Sequence, residues 1–136
     1  LSLALAHNPD QLEITSVEAG GGLSDLNGGD GPDFFAPFET STGFTLGILF
    51  SFSDDFLGLS AEVPVEIALV NYETIADSFA GQEGDSVSTD LAWGNPLLGD
   101  SGVPTVENTV VLNGVTGIIP VTRDSSVELI AEVVTD

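Results

Sequence analysis

Oxygen-bearing side chains lie close together in a glycine-rich stretch, residues 20–37, and calcium binding is the chemistry they favour. The four candidate ligands are Asp25, Asn27, Asp30 and Asp33. Ca²⁺ takes about six to eight oxygen ligands from carboxylates, amides and carbonyls, although the spacing here is not that of an EF-hand. An exposed turn is the alternative, because Asp, Asn and Gly also favour turns. Two acidic pairs are weaker candidates of the same kind: Asp54 with Asp55, and Asp85 with Asp90.

Catalytic groups are harder to assemble from this sequence. His7 is the single histidine and has no neighbouring motif of a nucleophile and an acid, so we expect a corner residue with satisfied hydrogen bonds. Glu13 with Glu18, or Glu66 with Glu73, could imitate the carboxylate pair of a glycosidase. Such pairs arise by chance in a chain with 22 acidic residues. No phosphate loop, dinucleotide fingerprint or nucleophile elbow is present, so we expect no enzymatic activity.

Sugar binding is a further alternative, because it commonly uses aromatic faces. Trp93 and Tyr72 are the only residues of their types. One ring of each type makes a small platform. Trp93 stands directly before Gly94, so the sequence favours packing inside the fold for this ring.

The net charge of the chain disfavours negatively charged partners. Against the 22 acidic residues stands one basic residue, Arg123, which leaves a net charge of -21 over 136 residues. Nucleic acid and anionic membranes would be repelled, and no apolar run is long enough to cross a bilayer. Arg123 is expected to pair with nearby acids or to reach the acidic surface of a neighbouring subunit.

The same composition bears on the compartment. Cysteine is absent, which excludes disulfides and thiolate metal sites. A compact acidic chain repels itself and needs salt or bound cations, so we expect an extracellular or cell-surface protein from a salty or calcium-rich setting. The alternative is that the acidic residues only keep the protein soluble and indicate no particular setting. Methionine is absent, and we therefore expect a processed chain or a fragment.

Alternating apolar and polar residues predict one all-β domain over residues 1–136. Residues 44–52 are the most apolar run and are expected to form a central strand. The alternation in residues 12–18 breaks at Ser16, after which Val17 supplies the next apolar contact. Eight or nine short strands with little or no helix favour an antiparallel β-sandwich. The predicted strands are residues 1–6, 12–18, 44–52, 62–74, 86–93, 106–113, 115–121 and 126–134.

Two stretches carry a family resemblance. Residues 3–20, LALAHNPDQLEITSVEAG, resemble the opening of cohesin-like modules, although His7-Asn8-Pro9 replaces the usual Tyr-Asp-Pro corner. Residues 93–129, WGNPLLGDSGVPTVENTVVLNGVTGIIPVTRDSSVEL, are similar to the end of repeat domains in large secreted proteins of aquatic bacteria. The resemblance implies a jelly-roll sandwich without an assigned enzymatic role.

The resemblance also implies a vacant strand position, because family members carry one more strand before the first one here. We therefore expect a structural subunit of an extracellular filament or surface layer, a homo-polymer joined by strand pairing and assisted by calcium. Residues 1–6 or 126–134 would supply the strand. The residues expected to act in assembly are Leu1, Leu3, Leu5, Val127, Leu129 and Arg123. The alternative is a cohesin-like binding module for a dockerin-like protein or a polysaccharide.

Overall fold

The chain folds into antiparallel sheets with only short helical turns. The computed structural model describes residues 1–53, 58–59, 62–75, 84–94, 107–112 and 116–130. The strands in these ranges are β1 (Ser2–Ala6), β2 (Leu12–Ala19), β3 (Phe34–Thr40), β4 (Gly43–Leu49), β5 (Ala68–Thr74), β6 (Ser86–Trp93), β7 (Val110–Leu112), β8 (Thr116–Ile118) and β9 (Ser125–Ile130). The prediction of an all-β antiparallel fold with little helix is confirmed. Within the described ranges, no helix is long and apolar enough to cross a membrane.

Five strands form the larger sheet, in the order β3-β4-β1-β6-β9. The strand at its centre is β1, which pairs antiparallel with β4 along its whole length, from Ser2 opposite Gly47 to Ala6 opposite Gly43. Its other edge meets β6 at Leu5 and Ala6. Leu3 and Leu5 of β1 lie opposite Leu46 and Phe44 of β4. Residues directly opposite in a ladder point to the same side, so these four side chains share one face of the sheet.

The smaller sheet consists of β2 and β5. Its register shifts between Ile14, which pairs with Tyr72, and Ser16, which pairs with Asn71, so Thr15 is an extra residue in β2. Such a β-bulge changes which side chains face inward. Ile14 and Val17 therefore both face the core, although one has an even and the other an odd residue number. The break in the apolar alternation at Ser16 lies beside this bulge.

The core lies where the two sheets meet. Its buried cluster comprises Val17, Leu23, Leu26, Phe44, Leu46 and Ile48. Two of these leucines belong to the glycine-rich stretch, where short 3-10 turns span Gly21–Leu23 and Leu26–Gly29. The stretch therefore packs into the core through the apolar side chains of Leu23 and Leu26. Its sequence alone predicted only a calcium site or an exposed turn.

A third, two-stranded sheet is formed by β7 and β8, which pair antiparallel from Val110 opposite Ile118 to Leu112 opposite Thr116. The two strands fall within the segments predicted as strands, residues 106–113 and 115–121. The turn itself lies outside the described residues.

Candidate functional site

An apolar groove of about 720 Å³ opens where the smaller sheet leaves the larger one uncovered. Two strands cannot cover five, so among the described residues part of the inner face of the larger sheet has no strand above it. Leu1, Leu3 and Leu5 of β1 lie along this groove and are only partly buried. Val70 of β5 lines one side of it, and residues 120–123 line another. An apolar concave surface of this kind is suited to an apolar ligand or chain segment.

The backbone of β5 faces the groove with unused hydrogen-bonding groups. The carbonyl of Ile67 accepts from the N–H of Gly20 at 2.8 Å, and the N–H of Ile75 donates to the carbonyl of Gln11 at 3.0 Å. Both bonds point towards β2, so the alternation of an antiparallel strand turns the even-numbered groups between them the other way. No strand in the described ranges pairs with that second edge of β5. The groove therefore combines apolar side chains with a strand edge.

The remaining sheet edges differ in how they are protected. The outer strand β3 contains Pro37, which has no N–H to give to a neighbouring strand. The bulge at Thr15 distorts β2, and bulges are a usual device against edge pairing. Neither a proline nor a bulge interrupts β5 or β9. Of the edge strands in the larger and the smaller sheet, these two remain suited to pairing; β7 and β8 are the edges of the third sheet.

The structure corrects the prediction that residues 1–6 could serve as the donated strand. Both edges of β1 are occupied within the chain. Beyond its contact with β6, the N–H of Ser2 donates to the carbonyl of Thr109 at 2.9 Å, and the N–H of Ala4 donates to Oδ1 of Asn108 at 2.6 Å. Leu1, Leu3 and Leu5 can therefore act in assembly only through the side chains that line the groove.

The other predicted donor is an edge strand. The described part of residues 126–134 is β9, which pairs with β6 on one side only among the residues that the structure describes. Val127 is partly exposed opposite Thr89, whereas Leu129 is buried opposite Val87. Residues 131–134 of the predicted strand lie outside the described residues.

Arg123 lies at the groove beside the most exposed apolar side chain nearby, Val121, which is 97% exposed. Its backbone is held in place because the indole Nε1–H of Trp93 donates to the Arg123 carbonyl at 2.9 Å. The backbone N–H of Trp93 also donates to the carboxylate of Asp124 at 3.0 Å. Trp93 thus lies at the groove, partly buried, and links the end of β6 to residues 123 and 124.

The predicted calcium ligands have other partners in the glycine-rich stretch. The side-chain amide of Asn27 donates to the carbonyls of Gly31 and Phe50, both at 2.7 Å. The carboxylate of Asp33 accepts from the N–H of Phe52 at 2.9 Å. Asn27 also has a positive φ of 52°, a conformation that Asn tolerates better than most residues. Two of the four predicted ligands therefore brace the loop against the end of β4.

The other predicted ligands, Asp25 and Asp30, are exposed, as are Asp85 and Asp90. Within the described ranges, no three His, Cys, Asp or Glu side chains lie close enough together to hold a metal ion. Asp54 and Asp55 lie outside those ranges. Calcium binding stays a prediction.

His7 is buried at the end of β1, where its ring meets Tyr72 of β5 edge-on with centroids 5.6 Å apart. Burial lowers the pKa of His7, and this effect outweighs the backbone of Leu12 and Ser41, which favours the charged form. Within the described ranges, neither ring nitrogen nor the Tyr72 hydroxyl makes a well-aligned hydrogen bond. That His7 is a corner residue with satisfied hydrogen bonds stays a prediction, and the ring packs as a neutral group between the sheets.

The glutamates considered as a carboxylate pair are arranged differently from both sequence pairings. Glu13 lies directly opposite Glu73 across β2 and β5, and Glu18 lies opposite Leu69. Glu13 and Glu73 are exposed. Because like charges directly opposite in a sheet repel each other, this pair weakens the smaller sheet.

Comparison with known proteins adds no identification. No family model, no curated protein sequence and no solved structure matches this chain. The resemblance to cohesin-like modules therefore stays a prediction, and the functional argument rests on the fold and the groove.

Proposed function

We propose that this chain is a non-enzymatic structural subunit of an extracellular filament or surface layer, in which copies join by β-strand pairing. The observation that supports this most directly is the second edge of β5, which borders the apolar groove and has no described strand beside it. A strand laid along that edge would gain backbone hydrogen bonds and would cover the leucines of β1 with an exposed apolar side chain.

The donated strand is β9 of the neighbouring copy. It lies at the far edge of the larger sheet and carries neither a proline nor a bulge. Joining β9 of one copy to β5 of the next uses two different surfaces. Such a heterologous contact repeats head to tail and forms an open filament unless its rotation closes a ring.

Charge sets the conditions for this assembly. Each copy carries a net charge of -21, so copies repel one another at low salt. At about 1 M salt the screening length falls to roughly 3 Å, so the repulsion between two copies no longer prevents their close approach. Burial of apolar side chains then contributes roughly 1.5–3 kcal/mol for each one fully covered. Calcium would serve the same end by neutralising carboxylates.

An engineered disulfide tests the β5–β9 joint, and the absence of cysteine from the chain makes the test clean. Leu69→Cys on β5 is combined with Ser126→Cys on β9, both at outward-facing positions. We expect an oxidised ladder of oligomers whose peptide maps contain this linkage. Leu49→Cys with Ser126→Cys is the matched control, because Leu49 and Leu69 are 44% and 47% exposed. Equal ladders from both combinations would exclude the proposed joint.

Electron microscopy of the unmodified chain tests the larger claim. Samples in low salt, in high salt, with Ca²⁺ and with excess chelator are compared. Filaments that form in high salt or with Ca²⁺ support the proposal, and loss on chelation alone would assign calcium to the joint. Dispersed particles in every condition contradict it.

A binding module for a foreign partner is the second candidate. It is favoured by one observation, namely that the groove is already open in the single chain. A dockerin-like protein or a polysaccharide would occupy it, and the partner would have to tolerate or complement an acidic surface. A chain that stays monomeric in all the conditions above, yet is retained on such a partner, would support this candidate instead.

A further inference from the structure

Arg123 is the only positively charged side chain in a chain of 136 residues, and it lies at the groove. Its guanidinium makes no hydrogen bond or ion pair with any residue in the described ranges, although 22 acidic residues are present in the sequence. The backbone beneath it is linked to the end of β6, because its carbonyl accepts a hydrogen bond from the indole of Trp93. A lone cation held in this place will attract a carboxylate that comes into the groove.

The strand proposed to enter the groove carries a single carboxylate. Within Ser125–Ile130, which reads SSVELI, the only charged residue is Glu128, and it is exposed. Its neighbours Val127 and Leu129 lie on the opposite face of β9, because successive residues of a strand alternate. With Val127 turned to the apolar floor, Glu128 would therefore point away from the floor.

We propose that Arg123 of one copy pairs with Glu128 of the next and so sets the register of the joint. This inference rests on the proposed function. It makes a second copy of the chain the occupant, because the cation at the groove complements an acidic strand. Arginine is suited to this task, since its planar guanidinium can hold both carboxylate oxygens at once. In other registers Glu128 would meet a surface without a basic side chain, so this pair discriminates among registers.

A charge swap tests the pair. Arg123→Glu and Glu128→Arg are each expected to raise the concentration needed for assembly by about tenfold at the lowest salt concentration at which the wild-type chain assembles, since each replaces an attraction by a repulsion. The double variant restores opposite charges in every joint and is expected to assemble nearly as well as the wild-type chain. Glu18→Arg, which alters an exposed glutamate on β2, is the control and should not weaken assembly. All effects should shrink at about 1 M salt.

The outcomes separate this inference from the function on which it rests. If the wild-type chain forms no assembly, both fail. If the wild-type chain assembles but the two single variants assemble equally well, or the double variant does not recover, the Arg123–Glu128 pair is overturned while strand pairing stands. Circular dichroism verifies that each variant is folded. Arg123→Gln and Glu128→Gln, which remove charge without reversing it, should give smaller changes in the same direction.

Discussion

The indole Nε1–H of Trp93 donates a hydrogen bond of 2.9 Å to the backbone carbonyl of Arg123. The bond joins the end of β6 to the segment that leads into β9, and both segments line the groove. A second bond, from the backbone N–H of Trp93 to Asp124, closes the same connection. The side of the groove that carries the cation is therefore held to the larger sheet by one aromatic residue.

Replacing Trp93 by Phe should lower the free energy of unfolding by about 0.5–1.5 kcal/mol through the lost hydrogen bond alone, with a further loss from the smaller ring. Urea unfolding measures the change. Tyr72→Phe is the control, because it also removes one polar group from an aromatic side chain, but a buried one that has no partner. That variant should be unchanged or slightly more stable. Equal losses in both variants would contradict the assigned bond.

Asn108 fills a gap beside β1. It is 2% exposed, its Oδ1 accepts from the N–H of Ala4, and its Nδ2 donates to the carbonyl of Gly94. Asn108→Ala leaves two backbone groups without partners, which costs about 1–3 kcal/mol for each group that remains dry. Asn71→Ala removes an exposed amide that bonds Ser16 and should cost much less. Thermal unfolding of the two variants compares them, and similar losses would show that Asn108 has no special role.

The repulsion between Glu13 and Glu73 offers a stabilising change. Glu13→Lys converts a like-charged pair into an opposite-charged pair across β2 and β5. We expect a gain of about 0.2–1 kcal/mol in the free energy of unfolding, larger at low salt. Glu18→Lys changes the net charge by the same amount but lies opposite Leu69. If both variants gain equally, the benefit comes from net charge and not from the pair.

Glycines at the end of β2 differ in the space around them. A Cβ on Gly20 would lie 2.5 Å from the carbonyl oxygen of Glu66, whereas a Cβ on Gly21 would have its nearest neighbour, a side-chain atom of Glu66, at 3.7 Å. Gly20→Ala must therefore shift backbone and should destabilise by about 1–3 kcal/mol. Gly21→Ala should change stability by no more than about 0.5 kcal/mol. Denaturant unfolding measures both variants, and equal changes in stability would contradict the close contact at Gly20.

Acidification should weaken the fold through His7. Its pKa is lowered by burial from the ordinary value of 6.5, so the unfolded chain binds the proton more readily than the folded chain. The stabilising effect of the neutral ring is complete above pH 6.5 and is lost as the pH falls below that value. Unfolding measured between pH 7.5 and 5.5 should show a steeper loss for the wild-type chain than for His7→Gln, which cannot titrate. Parallel curves would mean that His7 is as accessible to protons in the folded chain as in the unfolded one.

Local patterns in the sequence were sufficient for the class of fold and for several strands. The alternation of Leu1, Leu3 and Leu5 predicted β1, and the break in alternation at Ser16 lies next to the bulge at Thr15 in β2. Periodicity reports which side chains share a face, because the pleat of a strand is a local property. It does not report neighbours, so the pattern left open whether residues 1–6 form an edge strand or an interior strand.

The sequence by itself determined an acidic, cysteine-free, all-β chain with a single cation. Only the tertiary structure decided that β1 lies between two partners, that Asn27 and Asp33 brace a loop, and that Arg123 lies at an apolar groove. These relations join residues far apart along the chain. They depend on which strand edges meet when the sheets pack. The free energy of that pairing is a sum over the whole fold, so no single segment of the sequence determines it.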